Sequence, residues 1–239
     1  MLQSKKNIDL SFDMNLLDTN NIRNKHISYL KTDECIGSNI RNGIYWELWM
    51  LKYFQENYIT NTNMIDLGGN IGTSTLLMSE VLSNNCKIFT FEPIYDDILF
   101  KNIIDNNLND KIELYPYGVG NKQEILKMKK VIFNSNINFG AMSIIHNLEN
   151  NDDSLEINIV PLDYFKFENV SVIKIDVEAM EIQVLEGSYE LIKCCKPTII
   201  IETYQIDEFK ESEIFKKLID LGYNINPIPE GHADYIMKI

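Results

Sequence analysis

The 239 residues fit one domain with a small appendage, and 45% hydrophobic side chains are enough for a sizeable core. A formal charge of −13 argues against a phosphate backbone as the main partner, because nucleic-acid binding leans on clustered Lys and Arg. Cys35, Cys86, Cys194 and Cys195 lack metal-type spacing, Met1 to Met14 holds no apolar core of signal length, and no window would span a bilayer, so an intracellular, cytoplasmic protein is expected.

In chain order, residues 1–42 are polar, Asn-rich and weakly periodic, and read as a lead-in or lid. Residues 43–239 read as the main domain. Tyr45, Leu48, Trp49 and Tyr53 recur at helical spacing, which predicts a helix over 44–58. A strand follows at 63–67, a helix at 71–82, a strand at 87–91, a helix at 95–106 and a strand at 111–115. The region from about 123 to 160 is an irregular insert, with strands at 124–132 and 155–160. Lys122, Lys127, Lys129 and Lys130 lie here and read as the solvated face of a strand.

Regularity returns with a β-branched strand at 170–175, a helix at 178–193, a strand at 198–201 and a helix at 208–221. The turn Pro229-Glu230-Gly231-His232 joins segments 223–228 and 233–238 as a terminal hairpin. Strand–helix alternation predicts an α/β fold with a mostly parallel sheet, Rossmann-like, flanked by helices. The terminal hairpin points to the class I methyltransferase form of that fold, with seven strands.

The first strand ends in Asp66, and Gly68, Gly69, Asn70 and Gly72 follow in a loop that opens a helix; the second strand ends in Glu92-Pro93. This is the layout of a nucleoside-cofactor site, in which glycines admit close backbone approach and the acid bridges ribose hydroxyls. Asp66 would repel a pyrophosphate but could orient a cationic amino-acid moiety, directly or through water. S-adenosylmethionine (SAM), with a ribose, an ammonium and a sulfonium but no phosphate, is favoured over a dinucleotide.

Ligands of open α/β sheets bind beyond the carboxyl ends of the strands. Asp176, Glu178, Glu202 and Tyr204 gather at that edge, with His232 on the hairpin turn. Such carboxylates need a cation, hydrogen bonds or shared protons to offset their repulsion. Plainer roles compete: Asp176 as a helix cap, and Glu181 as a capping-box partner of Glu178. His146, in the insert, is a lone loop histidine, a setting more often solvent-exposed than catalytic.

The block from Val172 to Glu181, Val-Ile-Lys-Ile-Asp-Val-Glu-Ala-Met-Glu, followed by Val184-Leu185-Glu186-Gly187, resembles the FkbM-type methyltransferases. The likeness takes in Asp66 to Gly72, Phe91-Glu92-Pro93, Pro197 to Glu202 and the upstream Tyr45-Trp46-Glu47, roughly residues 43–204. Ala179 stands where the family pattern has Gly. Asn138-Phe139-Gly140-Ala141-Met142-Ser143 looks like the family's N-x-G-x-x-S segment, which would lay part of the insert over the site.

The resemblance implies SAM-dependent O-methylation of a sugar, glycan or natural-product hydroxyl. Asp66, Gly68, Gly69, Asn70, Gly72, Glu92 and Pro93 would hold SAM, and Glu47 would close over it. Asp176 is the candidate base or acceptor orienter, assisted by Glu202 or His146. Asp176 and Glu202 could instead hold a divalent cation that acidifies the hydroxyl. Glu178, Tyr204 and His232 are candidate acceptor contacts. Rival readings are a catalytically silent SAM-binding module, a nicotinamide oxidoreductase and a nucleic-acid methyltransferase; the last would need a basic groove. Oligomeric state is not readable.

Overall fold

A computed structural model describes every residue except Met1, Leu10, Ser11, Asn150 and Asp152; at those positions the expected lead-in and insert lie outside the described residues. Strands β1 (Leu17–Ile22) and β2 (Lys25–Leu30) form an antiparallel hairpin. Its turn residues Arg23 and Asn24 both have positive φ, at 56° and 59°, the left-handed pair a two-residue hairpin turn requires. Helices α1 (Ile36–Arg41) and α2 (Met50–Asn57) follow.

The alternating units are then β3 (Asn63–Leu67), α3 (Thr73–Val81), β4 (Ile88–Phe91), α4 (Asp96–Asp105) and β5 (Ile112–Tyr115). Strands β6 (Gly118–Val119), β7 (Glu124–Met128) and β8 (Leu155–Val160) make a separate three-stranded sheet in order β6-β8-β7. The chain returns through β9 (Val170–Ile175), α5 (Glu181–Glu186), α6 (Tyr189–Cys195), β10 (Thr198–Glu202), α7 (Ile206–Glu211) and α8 (Glu213–Asp220). It ends in β11 (Asn224–Pro227) and β12 (Asp234–Lys238).

The main sheet has seven strands in the order β11-β12-β10-β9-β3-β4-β5, and β12 alone runs against the rest. Alternate residues feed two apolar layers: Met64, Ile88, Val172 and Ile200 on one face, Ile65, Phe89, Ile173 and Ile199 on the other. The chain moves outward from β3 to β5 and then restarts at β9 on the other side of β3. The crevice at this reversal, beyond the ends of β3 and β9, is where such sheets bind ligands.

Several expected boundaries shift, each for a local reason. Residues 17–41 are a hairpin and a short helix that share the main core through buried Ile27, Leu30, Ile36 and Ile40. The helix expected over 44–58 begins only at Met50, because Glu47 has φ +51°. That expected over 178–193 is broken at Gly187, where a Cβ would lie 1.9 Å from the Gly120 carbonyl oxygen. The helix expected over 208–221 restarts at Ser212, whose hydroxyl accepts from the Phe215 N–H at 3.2 Å. Among the described residues no helix is long and apolar enough to cross a membrane.

Candidate functional site

The ends of β3 and β9 are locked together at the backbone. The Asp176 N–H donates to the Leu67 carbonyl at 3.0 Å. Gly68 has φ +79°, and a Cβ there would sit 1.8 Å from the Asp176 carbonyl oxygen. Only glycine permits that approach. Asn70, at φ +47°, and Gly72, at φ +100°, complete the turn into α3, and a Cβ on Gly72 would meet Leu99 at 2.4 Å.

Two contiguous cavities open on this junction. One, of about 70 Å³, runs between the end of β4 and β6, past Glu92, Pro93, Tyr117 and Gly118. The other, of about 810 Å³, is bounded by Glu47, Gly69, Glu202, Tyr204 and His232, with Trp46 and Trp49 on its wall. Gly68, Asn70, Gly140, Asp176 and Glu178 border both. A third cavity of about 230 Å³ shares Glu178, Glu202 and Tyr204 with the second and adds His146 and Gln205. The insert covers the junction and is pinned there: Tyr95 Oη donates to the Phe139 carbonyl at 2.8 Å, and Ser143 Oγ to the Glu178 carbonyl at 2.6 Å.

Glu92 is buried at the end of β4. Its Oε1 accepts from the N–H groups of Ile94 (2.7 Å) and Tyr95 (3.0 Å), and its Oε2 from Asn70 (2.8 Å). The carboxylate is thus fixed against the glycine loop with one lone-pair site, on Oε2, left for a ligand. Burial pushes its pKa up to about 7 against the pull of those three donors.

Asp66, expected to face the cofactor, is fully buried beneath the loop and borders none of the three cavities. Its Oδ2 accepts from Ser74 Oγ (2.8 Å) and Thr75 Oγ1 (2.5 Å), tying β3 to the first turn of α3. Burial raises its pKa. Gly72 likewise shapes the loop without reaching a cavity wall. Of residues 1–42, Cys35, Ile36 and Asn39 reach the large cavity, while the hairpin packs away on α4.

The opposite wall is acidic. Asp176, Glu178 and Glu202 each offer an oxygen within 4.8 Å of the others. Burial, then the Asp176 charge, pushes Glu202 up to about 9 and Glu178 up to about 7. The same two causes raise Glu47 to about 7 and Asp234 to about 6. Glu178 and Ala179 both have positive φ, 51° and 78°, where the family pattern has glycine at the second position. Glu181 Oε1 accepts from the Ala179 N–H at 2.9 Å, so it holds the turn ahead of α5 instead of closing a capping box with Glu178.

Two participants were absent from the expected set. Asp234 is the cross-strand neighbour of Glu202 and is 5% exposed. Lys174 lies in the fully buried strand β9, with Nζ 2.9 Å from Asp176 Oδ2, 3.0 Å from the Gly68 carbonyl and 3.7 Å from Asp66 Oδ1. Burial acts to lower the Lys174 pKa, but Asp176 and Asp66 together carry it above its ordinary value. A lone lysine in the run Val-Ser-Val-Ile-Lys-Ile was the sequence signal for it.

SAM fits this donor set. Among the described residues Lys174 is the single lysine or arginine on the walls of the first two cavities, and it is engaged by carboxylates, so a pyrophosphate has no free lysine or arginine partner among them. A ribose diol matches Glu92, and a cationic ligand matches the acidic wall.

The family model described as the methyltransferase FkbM domain matches residues 66–225. Among solved structures, methyltransferase FkbM from Methylobacillus flagellatus KT is 16% identical, with a TM-score of 0.52 over 79% of this chain and 50% of that one. This chain therefore spans half the length of that protein, and the likeness is one of fold. A methyltransferase from Geobacter sulfurreducens is 11% identical, with a TM-score of 0.48 over 84% of this chain and 83% of that one. SMU.1697c from Streptococcus mutans, solved in complex with SAH, is 10% identical, with a TM-score of 0.46 over 80% and 96%. No curated protein matches the chain.

Proposed function

The chain belongs to the FkbM methyltransferase family, and from that premise we propose that it transfers a methyl group from SAM to a hydroxyl of a sugar, glycan or natural-product acceptor. The observation that carries this reading is the shared border of the two cavities. The nucleoside-binding elements Gly68, Asn70 and Glu92 and the carboxylate of Asp176 meet at one junction, beside a chamber of about 810 Å³ with aromatic and acidic walls.

SAM supplies the methyl group on a sulfonium that leaves as a neutral thioether. Glu92 would accept from a ribose hydroxyl, and Asn70 and Gly68 would give the backbone surface for the nucleoside. Glu47 borders the same chamber and closes its rim. Asp176 would take the acceptor's hydroxyl proton as the oxygen accepts the methyl group. Glu202, whose carboxyl is pushed up to about 9 by burial and the Asp176 charge, would donate to Asp176 and orient it. Much of the rate comes from holding oxygen, carbon and sulfur in line. Tyr204, Glu178 and His232 contact the acceptor, and His146 assists from the side cavity.

A second reading has one observation in its favour, the convergence of Asp176, Glu178 and Glu202. There they hold a divalent cation that acidifies the hydroxyl, and Asp176 is a ligand rather than a base. Activity that is lost with EDTA and restored by Mg²⁺ or Mn²⁺ selects it.

The test is calorimetry with SAM and with NAD, then methyl transfer from tritiated SAM to a panel of sugars and glycosides. Asp176→Asn should bind SAM nearly as wild type does yet transfer nothing. Full activity in that variant removes the assignment of Asp176. SAM binding without any transfer favours the silent module, and NAD binding favours the oxidoreductase.

A further inference from the structure

Lys174 has no part in the transfer chemistry above, yet its position is unusual. It is 3% exposed in a strand whose other residues, Val170, Ser171, Val172, Ile173 and Ile175, are all buried. Burying an ammonium is costly unless its partners are good ones. It has three, and they belong to different parts of the site. Asp66, its cross-strand neighbour on β3, sits beneath the glycine loop. The Gly68 carbonyl is the loop itself, at 3.0 Å. Asp176 Oδ2, at 2.9 Å, is on the acceptor side.

We infer that Lys174 is a positioning residue: its ammonium fixes the glycine loop and the Asp176 carboxylate to one point, and so sets the register between cofactor and acceptor base. The inference rests on the reading of Gly68 and Asp176 given above. The mechanical argument is that Gly68 and Asp176 already touch at the backbone, but a backbone contact does not orient a carboxylate. The charge-assisted bond from Nζ does. The same ammonium turns the Gly68 carbonyl inward, which keeps the loop in its left-handed conformation. Lys174 touches neither methyl donor nor acceptor and works through Asp176 and Gly68.

The competing account is that Lys174 merely neutralises Asp66 in the core. Two variants separate them. Lys174→Met keeps the length of the side chain but strands the buried Asp66 charge, and should lower Tm strongly. The double variant Lys174→Met with Asp66→Asn removes both charges, while the Asn oxygen still accepts from Ser74 and Thr75. It should regain most of the lost Tm, since replacing both partners of a buried pair is tolerated far better than removing one.

Calorimetry with S-adenosylhomocysteine and transfer to the best glycoside of the panel are then measured on wild type and on both variants. In the folded double variant the affinity should be down about tenfold and kcat down about 100-fold, the cost of a misplaced reacting group. Recovery of affinity and kcat along with Tm would overturn the inference and leave Lys174 a core ion-pair partner. A double variant no more stable than the single one would overturn it too, because the Asp66 pairing it assumes would be wrong. If no glycoside is methylated, the affinity alone decides. If wild type itself does not bind S-adenosylhomocysteine, the functional reading fails with it; wild-type binding matched by the double variant removes only the role of Lys174.

Discussion

Gly68 and Asp176 approach so closely that a single methyl group on the glycine would fall 1.8 Å from the carbonyl oxygen of the aspartate. Two loops that are 108 residues apart in sequence, proposed to serve the cofactor and the acceptor, thereby share a wall. The contact is backbone to backbone, so no rotamer change can relieve an intrusion. Gly68→Ala is expected to cost more than about 2 kcal/mol and to abolish binding of S-adenosylhomocysteine. Gly43→Ala is the control: it shares a positive φ of 78°, but a Cβ there has no neighbour within 4 Å. It should cost only about 1 kcal/mol. Thermal unfolding of the two variants makes the comparison.

Stability should fall as pH rises. Glu47, Glu92 and Glu178 are pushed up to about 7 and Glu202 to about 9, all above the ordinary 4.5 of the unfolded chain. Between those limits the folded state binds more protons than the unfolded one, so unfolding releases protons and is favoured at higher pH. The stabilisation is complete below about pH 4.5 and is lost as pH passes through 7 and then 9. Tm measured across pH 5 to 9 should decline, and Glu202→Gln should flatten the upper part of the curve. A Tm that climbs with pH would contradict the burial of these carboxylates.

Ala179→Gly should stabilise. Ala179 has φ +78° directly after Glu178 at φ +51°, a conformation in which a side chain costs about 1–2 kcal/mol. Glycine removes that cost but gives back part of it as freedom of the unfolded chain. The expected net gain is about 0.5–1 kcal/mol, or roughly 2 °C in Tm. A drop in Tm would mean that the Ala179 methyl makes packing contacts worth more than the strain.

The parallel strands β3, β4, β5, β9 and β10 are legible as short apolar runs, with Glu92, Asp176 and Glu202 at or just past their ends and Asp66 one residue short of the end of β3. Being at a strand end told where each acid lies, not which way it faces. In sequence Asp66 looks like a ligand contact, because nothing in Ile-Asp-Leu-Gly-Gly reveals that Ser74 and Thr75 turn back onto it. Lys174 was hidden inside a motif taken whole. The N-terminal hairpin escaped notice because its outer strand is mostly exposed and its turn, Arg23-Asn24, lacks the glycine that usually announces one. The helix breaks at Gly187 and Ser212 lay within an unbroken apolar periodicity, although Ser212 ahead of Glu213 carried a capping signal.

Asn102 secures that hairpin. Its amide is fully buried, accepts from the Ser28 N–H at 2.7 Å, and donates to the carbonyls of Ser28 (2.9 Å) and Ile71 (2.7 Å). Asn102→Ala leaves three buried backbone groups unpaired and should cost about 2–4 kcal/mol. Hydrogen exchange at Ser28 should accelerate far more than exchange at Ile173 in β9. Equal acceleration at both sites would show that the hairpin and the sheet open as one unit.

Ser28 is joined to Asn102 across 74 residues and His26 to Asn106 across 80. On the ribosome the hairpin is therefore made long before its seat. At about 5–20 residues per second, Ile27 and Leu30 wait roughly 4–15 s for helix α4, and a lone two-stranded ribbon is marginal in water. The hairpin is thus synthesised well before the helix on which it packs. Until α4 emerges, Ile27 and Leu30, buried in the folded protein, lack the helix that covers them.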